Sequence, residues 1–171
     1  MKTPVARFQN AERLAEITQQ IGFALWQLQE LEQVSATYFV LLAKATRGMD
    51  LKVGEALVAK TPGETFGQTI SKLRAANLVS DELETRFLAL LHERNWLVHA
   101  SRSDSHGAVY ADATFESLKL RLDKLAEAAL ALLLEIGVLA ERHVIAHKVS
   151  QLEIDAGAAT LLKSWRESDS I

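Results

Sequence analysis

Residues 94–99 of the sequence, Arg-Asn-Trp-Leu-Val-His, bring three chemically different polar side chains into one short segment. Arg94 carries a permanent positive charge, Asn95 offers amide donors and an acceptor, and the imidazole of His99 can both accept and donate a proton. A histidine can take a proton from a ribose 2′-hydroxyl, or give one to a leaving oxygen, while an arginine stabilises charge on the phosphoryl group. The segment is therefore a candidate catalytic set for RNA cleavage without a metal ion.

Two of these side chains share one line on the surface of a predicted helix. Asn95 and His99 are four residues apart and are therefore neighbours, and His92 and Arg102 continue the same line. Trp96 falls outside the main apolar face and could stack on a base or meet a partner subunit. His92, Trp96 and Arg102 are therefore candidate substrate-binding residues.

Arg94 departs from the apolar pattern of its own helix. On a helical wheel of about 100° per residue it lies in the middle of the apolar face. That face consists of Leu83, Phe87, Leu90, Leu91, Leu97 and Val98. A guanidinium there is costly unless it is paired or lines a polar cleft, so a structural ion pair with a glutamate from a neighbouring helix is an alternative to catalysis. Arg94 and His99 are about 140° apart on the wheel, and a shared target requires the arginine to reach around the helix.

The composition predicts one all-α domain that positions this segment. The chain has 171 residues, of which 49% are hydrophobic and 24% charged, enough to bury one core. Only 2 prolines and 8 glycines interrupt it, so long helices meet few breaking residues and strand-rich folds are excluded. We expect a single helical domain over residues 1–171, in which about 150–171 form a C-terminal helical tail.

The apolar spacing divides the chain into helices with short connections, which predicts an up-and-down antiparallel bundle of four main helices with additional short helices. The first pattern stops near Gly48, and an earlier segment from Pro4 to Gln20 can be continuous with it. Residues 102–107 form the clearest predicted loop. Asp50 is predicted to cap a short helix that ends at Thr61-Pro62-Gly63. Three more helices are predicted to start at Thr65 or Glu64, at Ser80, and at Asp112 or Thr114. A final short helix contains Leu152, Leu161, Leu162 and Trp165.

Charge and motif content exclude several function classes. The net charge is −3, so RNA binding must depend on a local site rather than on a global cationic field. The absence of cysteine excludes disulfides, thiolate nucleophiles and Cys-based zinc sites, and neither a Gly-x-Gly-x-x-Gly nor a Walker-type loop occurs. The longest apolar run is interrupted by Glu127 and Glu135, so we expect a cytoplasmic protein without a membrane span.

The Arg94-Asn95-x-x-x-His99 segment, late in a helix of an all-helical domain, resembles the Arg-polar-three-residues-His motif of the HEPN family, the higher eukaryote and prokaryote nucleotide-binding domains. The resemblance extends loosely upstream. There, the segments 66–70 and 81–84 lead into Leu90-Leu91-His92-Glu93, a layout similar to that of bacterial members. The motif is short, and the helical context adds to its weight.

The resemblance implies a homodimer in which two copies of the motif face one another in a cleft. It further implies metal-independent endoribonuclease activity with no cofactor, in which Arg94 and His99 are catalytic and Asn95 orients or binds the phosphate. Many such proteins act on tRNA or mRNA as toxins or in phage defence, under the control of an antitoxin. Others have lost activity, so a non-catalytic HEPN-like protein-binding module, such as an antitoxin, immunity or regulatory subunit, is the alternative.

Two further features bear on this interpretation. A subgroup of the HEPN toxins has a tyrosine two residues after the histidine, which the antitoxin modifies, whereas this sequence has Ser101 there and Tyr110 lies too far along. His143 and His147 have a spacing that could hold a metal, but no carboxylate lies at a matching position. We therefore predict no metal site, and packing or a contact with the negative end of the helix for these two histidines.

Overall fold

The computed structural model describes residues 4–46, 49, 51–59 and 65–168, and it contains the following helices. They are α1 (Pro4–Ala43), α2 (Leu51–Ala59), α3 (Phe66–Ala75), α4 (Asp81–His99), α5 (Ser101–Ala108), α6 (Asp112–Ala146) and α7 (Gln151–Ser168). No strand occurs within these ranges. The prediction of an all-helical bundle is therefore confirmed for the part of the chain that is described.

The two longest helices, α1 and α6, form the most extensive contact of the fold. Arg13 pairs with Asp112 and Glu16 pairs with Lys119, in the same order along both helices, so α1 and α6 run in the same direction. On the facing sides of α1 and α6, apolar residues recur every three or four positions. Each helix is therefore amphipathic and buries one side against the other. The largest fully buried side chains of this contact are Ile17, Leu28, Leu31, Leu122, Leu132 and Ile136.

Helix α4 crosses this pair and closes the core. Arg86 pairs with Glu135, and Arg121 pairs with Glu93, so α4 runs antiparallel to α6. Phe87 of α4 is completely buried and meets Phe66 of α3 edge to face, with 5.9 Å between the ring centroids. These contacts fix the position and rotation of α4, the helix that carries the candidate site.

Two helix starts form as predicted from their capping residues. The Thr65 hydroxyl accepts a hydrogen bond from the backbone N–H of Gln68, and the Gln68 side chain accepts one from the Thr65 N–H. The Ser80 hydroxyl accepts from the N–H of Leu83 at 3.2 Å, with Asp81 and acidic neighbours in the first turn. Local hydrogen bonds thus determine where α3 and α4 begin.

The predicted loop over residues 102–107 is wrong, because Ser101–Ala108 forms α5. The hydroxyls of Ser101 and Ser105 donate to backbone carbonyls four residues earlier, which satisfies them inside a helix. Both side chains are buried together with Ala108, and α5 packs on α6. Packing therefore overrides the turn preference of these residues.

Other boundaries follow the predictions with small shifts. The segment from Pro4 is continuous with the first pattern, and the helix ends at Ala43 rather than near Gly48. The predicted cap Asp50 and the predicted break at Thr61-Pro62-Gly63 lie outside the described residues, as does Gly48. Each described helix is too short or too polar to cross a lipid bilayer.

Candidate functional site

The last turns of α4 carry the segment 94–99 at the surface of the bundle. Leu97 is buried and anchors this part of the helix in the core. Asn95 and His99 are exposed on the outer side, and Arg94 lies at the boundary between core and solvent. Among the described residues, neither the Asn95 nor the His99 side chain has a hydrogen-bond partner. Both groups are accessible to a ligand or to a second protein chain.

Arg94 is held by an acidic side chain of α1. Its Nε donates to Oε1 of Glu32 at 2.9 Å, and the two side chains are 32% and 26% exposed. The ion pair with a glutamate of a neighbouring helix, the structural interpretation of Arg94, is therefore present. The two terminal nitrogens of Arg94 make no hydrogen bond to any residue that the structure describes. Glu32 thus binds one edge of the guanidinium and leaves the outer part of the fork available.

Trp96 is engaged within the protomer on the adjacent side of α4. Its Nε1 donates to Oδ2 of Asp104 at 2.7 Å, which ties α4 to α5. The guanidinium of Arg121 lies over the ring, with Cζ 3.4 Å from the centroid. Arg121 also donates to both carboxylate oxygens of Glu93, at 2.8 and 3.1 Å. One face of the indole is therefore covered by protein, and Trp96 connects three helices.

The other predicted substrate-binding residues lie on either side of the segment. His92 is exposed one turn before Asn95, and Arg102 is exposed in the first turn of α5. Neither has an ion-pair or hydrogen-bond partner among the described residues. His92, Asn95, His99 and Arg102 therefore present polar groups to solvent along one side of the α4–α5 junction.

Glu32, Glu93, Asp104 and Arg121 are the site residues that sequence reasoning missed. Arg121 had a signal, because it stands between apolar core positions of α6, as Arg94 does in α4. Glu32 had none, since α1 also carries Glu12, Glu16 and Glu30 and only the packing of α4 selects Glu32. Partners across helices depend on tertiary structure.

A groove of about 510 Å³ lies between α4 and α6, beside the candidate site. Its apolar floor includes Leu90 and Leu125, both buried. Arg86, Arg121 and Lys124 line its walls, and of these only Lys124 lacks an acidic partner among the described residues. The groove therefore provides one unpaired positive charge near the segment.

Removal of the Arg121 side chain tests the network around Trp96. Arg121→Ala loses two charge-assisted hydrogen bonds and the contact with the indole, and we expect a lower free energy of unfolding by about 1–2 kcal/mol. Urea denaturation followed by tryptophan fluorescence measures it. Lys124→Ala, one turn along on the same helix, is the matched control and should change stability by less than about 0.5 kcal/mol. Equal effects of the two changes would contradict the assignment.

His143 and His147 pack against one another at the end of α6, with ring centroids 4.3 Å apart. Nδ1 of His147 lies 2.8 Å from the backbone carbonyl oxygen of His143, a contact at the negative end of the helix. Within the described ranges no group of three or more His, Asp or Glu side chains is arranged to hold a metal ion. Burial lowers the pKa of His143, and the adjacent His147 imidazole lowers it further.

This lowered pKa gives a pH dependence of stability with a definite sign. The unfolded chain binds the His143 proton more tightly than the folded chain, so the free energy of unfolding falls as pH drops below about 6.5. We expect His143→Gln to reduce the loss of Tm between about pH 7.5 and pH 5.5. His106→Gln, at an exposed position on α5, serves as the control. The same loss of Tm in His143→Gln and in the unmodified chain would refute this assignment.

No family model, curated protein or solved structure matches this chain.

Proposed function

We propose that this chain is a metal-independent endoribonuclease of HEPN type that acts as a homodimer. The observation that carries the proposal is the state of Arg94. Its Nε is held by Glu32, and its two terminal nitrogens have no partner in the part of the chain that the structure describes. The exposed Asn95 is its neighbour in sequence, and the exposed His99 lies on another side of α4. A planar fork fixed at one edge suits the non-bridging oxygens of a phosphodiester.

The proposed homodimer follows from the geometry of a single helix. Arg94 and His99 project about 140° apart, so a single α4 cannot easily direct both at the same phosphate. A second copy related by a twofold axis brings its own His99 to the Arg94 fork of the first. Leu88 and Val98, each 47% exposed on α4, are apolar residues that such a contact would cover.

The proposed reaction uses the ribose 2′-hydroxyl as nucleophile. The neutral His99 imidazole of one copy takes the 2′-hydroxyl proton, and the oxygen attacks phosphorus. The bond from phosphorus to the 5′-oxygen breaks, and the protonated His99 of the other copy gives that oxygen a proton. Arg94 stabilises the charge on the non-bridging oxygens, and Asn95 orients the phosphate. The products are a 2′,3′-cyclic phosphate and a 5′-hydroxyl.

The proposed substrates are tRNA or mRNA in the cytoplasm, cleaved in a toxin or phage-defence role under an antitoxin or regulatory protein. His92 and Arg102 extend the exposed polar line of the site, and Lys124 adds a positive charge in the neighbouring groove. With a net charge of −3, such local cations must supply the electrostatic part of RNA binding.

The test is incubation of the purified chain with total tRNA and with mRNA in EDTA, followed by mapping of the cut ends. We expect cleavage that leaves cyclic phosphate and 5′-hydroxyl ends. Cleavage that requires an added divalent ion, or products with 5′-phosphate ends, would contradict the proposed chemistry.

The second candidate is a non-catalytic HEPN-like module that binds a protein, such as an antitoxin, immunity or regulatory subunit. The Glu32 ion pair favours it, because a carboxylate that neutralises Arg94 weakens the attraction of a phosphate. The absence of RNA cleavage at any protein concentration, together with a folded dimer, would support this candidate instead.

A further inference from the structure

The guanidinium of Arg121 is held in one plane by two neighbours. Its Cζ lies 3.4 Å from the centroid of the Trp96 ring, a separation at which a planar guanidinium lies parallel to the indole. Its Nε and Nη2 donate to the two carboxylate oxygens of Glu93, which occupies one edge of the fork. One face and one edge of the group are therefore bound within the protomer, and the second face has no ring contact in the described part of the chain.

This second face borders the groove between α4 and α6. Arg121 lines the groove and its side chain is 38% exposed, whereas Trp96 does not line it. Arg121 therefore presents to the groove the side that is turned away from the indole. The groove floor beside it is apolar and includes Leu90, Leu120 and Leu125. The groove volume of about 510 Å³ is typical of a site for a small organic group.

The charged side chains of the groove favour a negative group next to this flat surface. The lining contains Arg86, Arg121 and Lys124 but a single acidic residue, Glu93. Glu135 neutralises Arg86, whereas Lys124, one turn after Arg121 on α6, has no acidic partner among the described residues. A planar ring with a negative charge close to it matches these features, and a nucleotide is such a group.

From these observations we infer that the groove binds an unpaired base of the RNA substrate, stacked on the free face of Arg121, with a phosphate of the same strand at Lys124. Bases stack on arginine planes as they do on aromatic rings, so the base, Arg121 and Trp96 form one continuous stack. Trp96 belongs to the segment 94–99, so this base lies close to the cleaved bond.

The inference rests on the proposed ribonuclease function and specifies its substrate class. A base in a duplex is already stacked on both faces and paired at its edge, so it cannot enter the groove. The substrate is therefore single-stranded RNA, such as an unpaired loop or end. Phosphate contacts alone would not distinguish a single strand from a duplex in this way.

The test measures binding of RNA to the full-length His99→Ala protein in EDTA, because this variant is expected to leave the RNA uncut. Three fluorescein-labelled probes of about 12 nucleotides are compared by anisotropy: a single strand, its duplex, and a strand of equal length with abasic sugars. We expect the single strand to bind about 10-fold more tightly than the abasic strand, since stacking of a base contributes that much. The duplex should also bind more weakly than the single strand.

The decisive variant is Arg121→Lys in the same background, which keeps the charge and loses the plane. It should weaken binding of the single strand about 10-fold and leave binding of the abasic strand unchanged. Arg142→Lys, at an exposed position of the same helix, is the matched control and should change neither. Ala89→Trp fills the groove from α4 at an exposed position and should cause the same selective loss. It replaces Arg121→Lys if circular dichroism shows that this protein does not fold.

Three results would overturn the inference: no RNA binding, equal binding of the single strand and the abasic strand or duplex, or an equal effect of Arg121→Lys on the single strand and the abasic strand. The last result would make Arg121 a structural or purely electrostatic residue. Cleavage by the unmodified chain without any preference for bases would refute this inference alone. Selective binding of the single strand, with no cleavage by the unmodified chain, would refute the proposed ribonuclease activity alone.

Discussion

His99→Ala is expected to reduce RNA cleavage by at least about 100-fold, the usual contribution of general acid–base catalysis. The proposed mechanism uses the imidazole twice, as the base from one copy and as the acid from the other, so no other side chain of the segment can replace it. His99 is exposed and has no partner in the described residues, so its removal leaves the bundle intact. Gel analysis of end-labelled RNA, with circular dichroism and light scattering on the same sample, measures both effects.

His147→Ala is the matched control for this prediction, because it removes an exposed histidine at the far end of α6. It should leave the cleavage rate unchanged. A His99→Ala protein that cleaves as fast as the unmodified chain would assign the activity to another group or to a contaminating nuclease. A variant that no longer folds would be replaced by His99→Gln, which has a similar volume and lacks the imidazole that transfers the proton.

The elements that sequence reasoning identified correctly depend on local interactions. Thr65 and Ser80 begin helices because their hydroxyls bind backbone N–H groups three residues later, a relation visible in the sequence itself. The helix over residues 101–108 was missed because its serines and glycine favour turns, and only burial against α6 holds it in a helix. Propensity alone could not predict that packing.

The candidate site, like the fold, could be predicted from the sequence only where local features decide it. The sequence predicted that Arg94 needs a partner or a polar cleft, from its place in an apolar stripe, but it could not select Glu32 among the glutamates of α1. Trp96 was predicted to lie outside the apolar face, but it is half-buried against the core, and Arg121 covers one side of its ring, which depends on how α6 packs against α4. The sequence therefore shows which residue needs a polar partner, whereas the identity of the partner depends on how the helices cross.

Arg94→Ala is expected to affect both catalysis and stability, by separate routes. Loss of a group that stabilises the transition-state charge should lower RNA cleavage by about 100-fold or more. Loss of the charged hydrogen bond to Glu32 should lower the free energy of unfolding by about 1–2 kcal/mol. This cost is smaller than the 3–5 kcal/mol or so of a broken buried pair, because the Arg94 and Glu32 side chains are 32% and 26% exposed.

A double-mutant cycle separates the two routes, because they respond differently to the removal of Glu32. Glu32→Ala and Arg94→Ala should each destabilise the fold, and the double variant should cost less than their sum, since it leaves no unpaired charge. Glu32→Gln keeps an acceptor for Nε and should retain cleavage, whereas Arg94→Lys loses the planar fork and should not. A purely structural Arg94 predicts instead that all four single variants change unfolding alone and that the cut RNA ends are unaffected. Urea unfolding and the cleavage assay on the same preparations therefore decide whether Glu32 holds a catalytic guanidinium or neutralises a structural one.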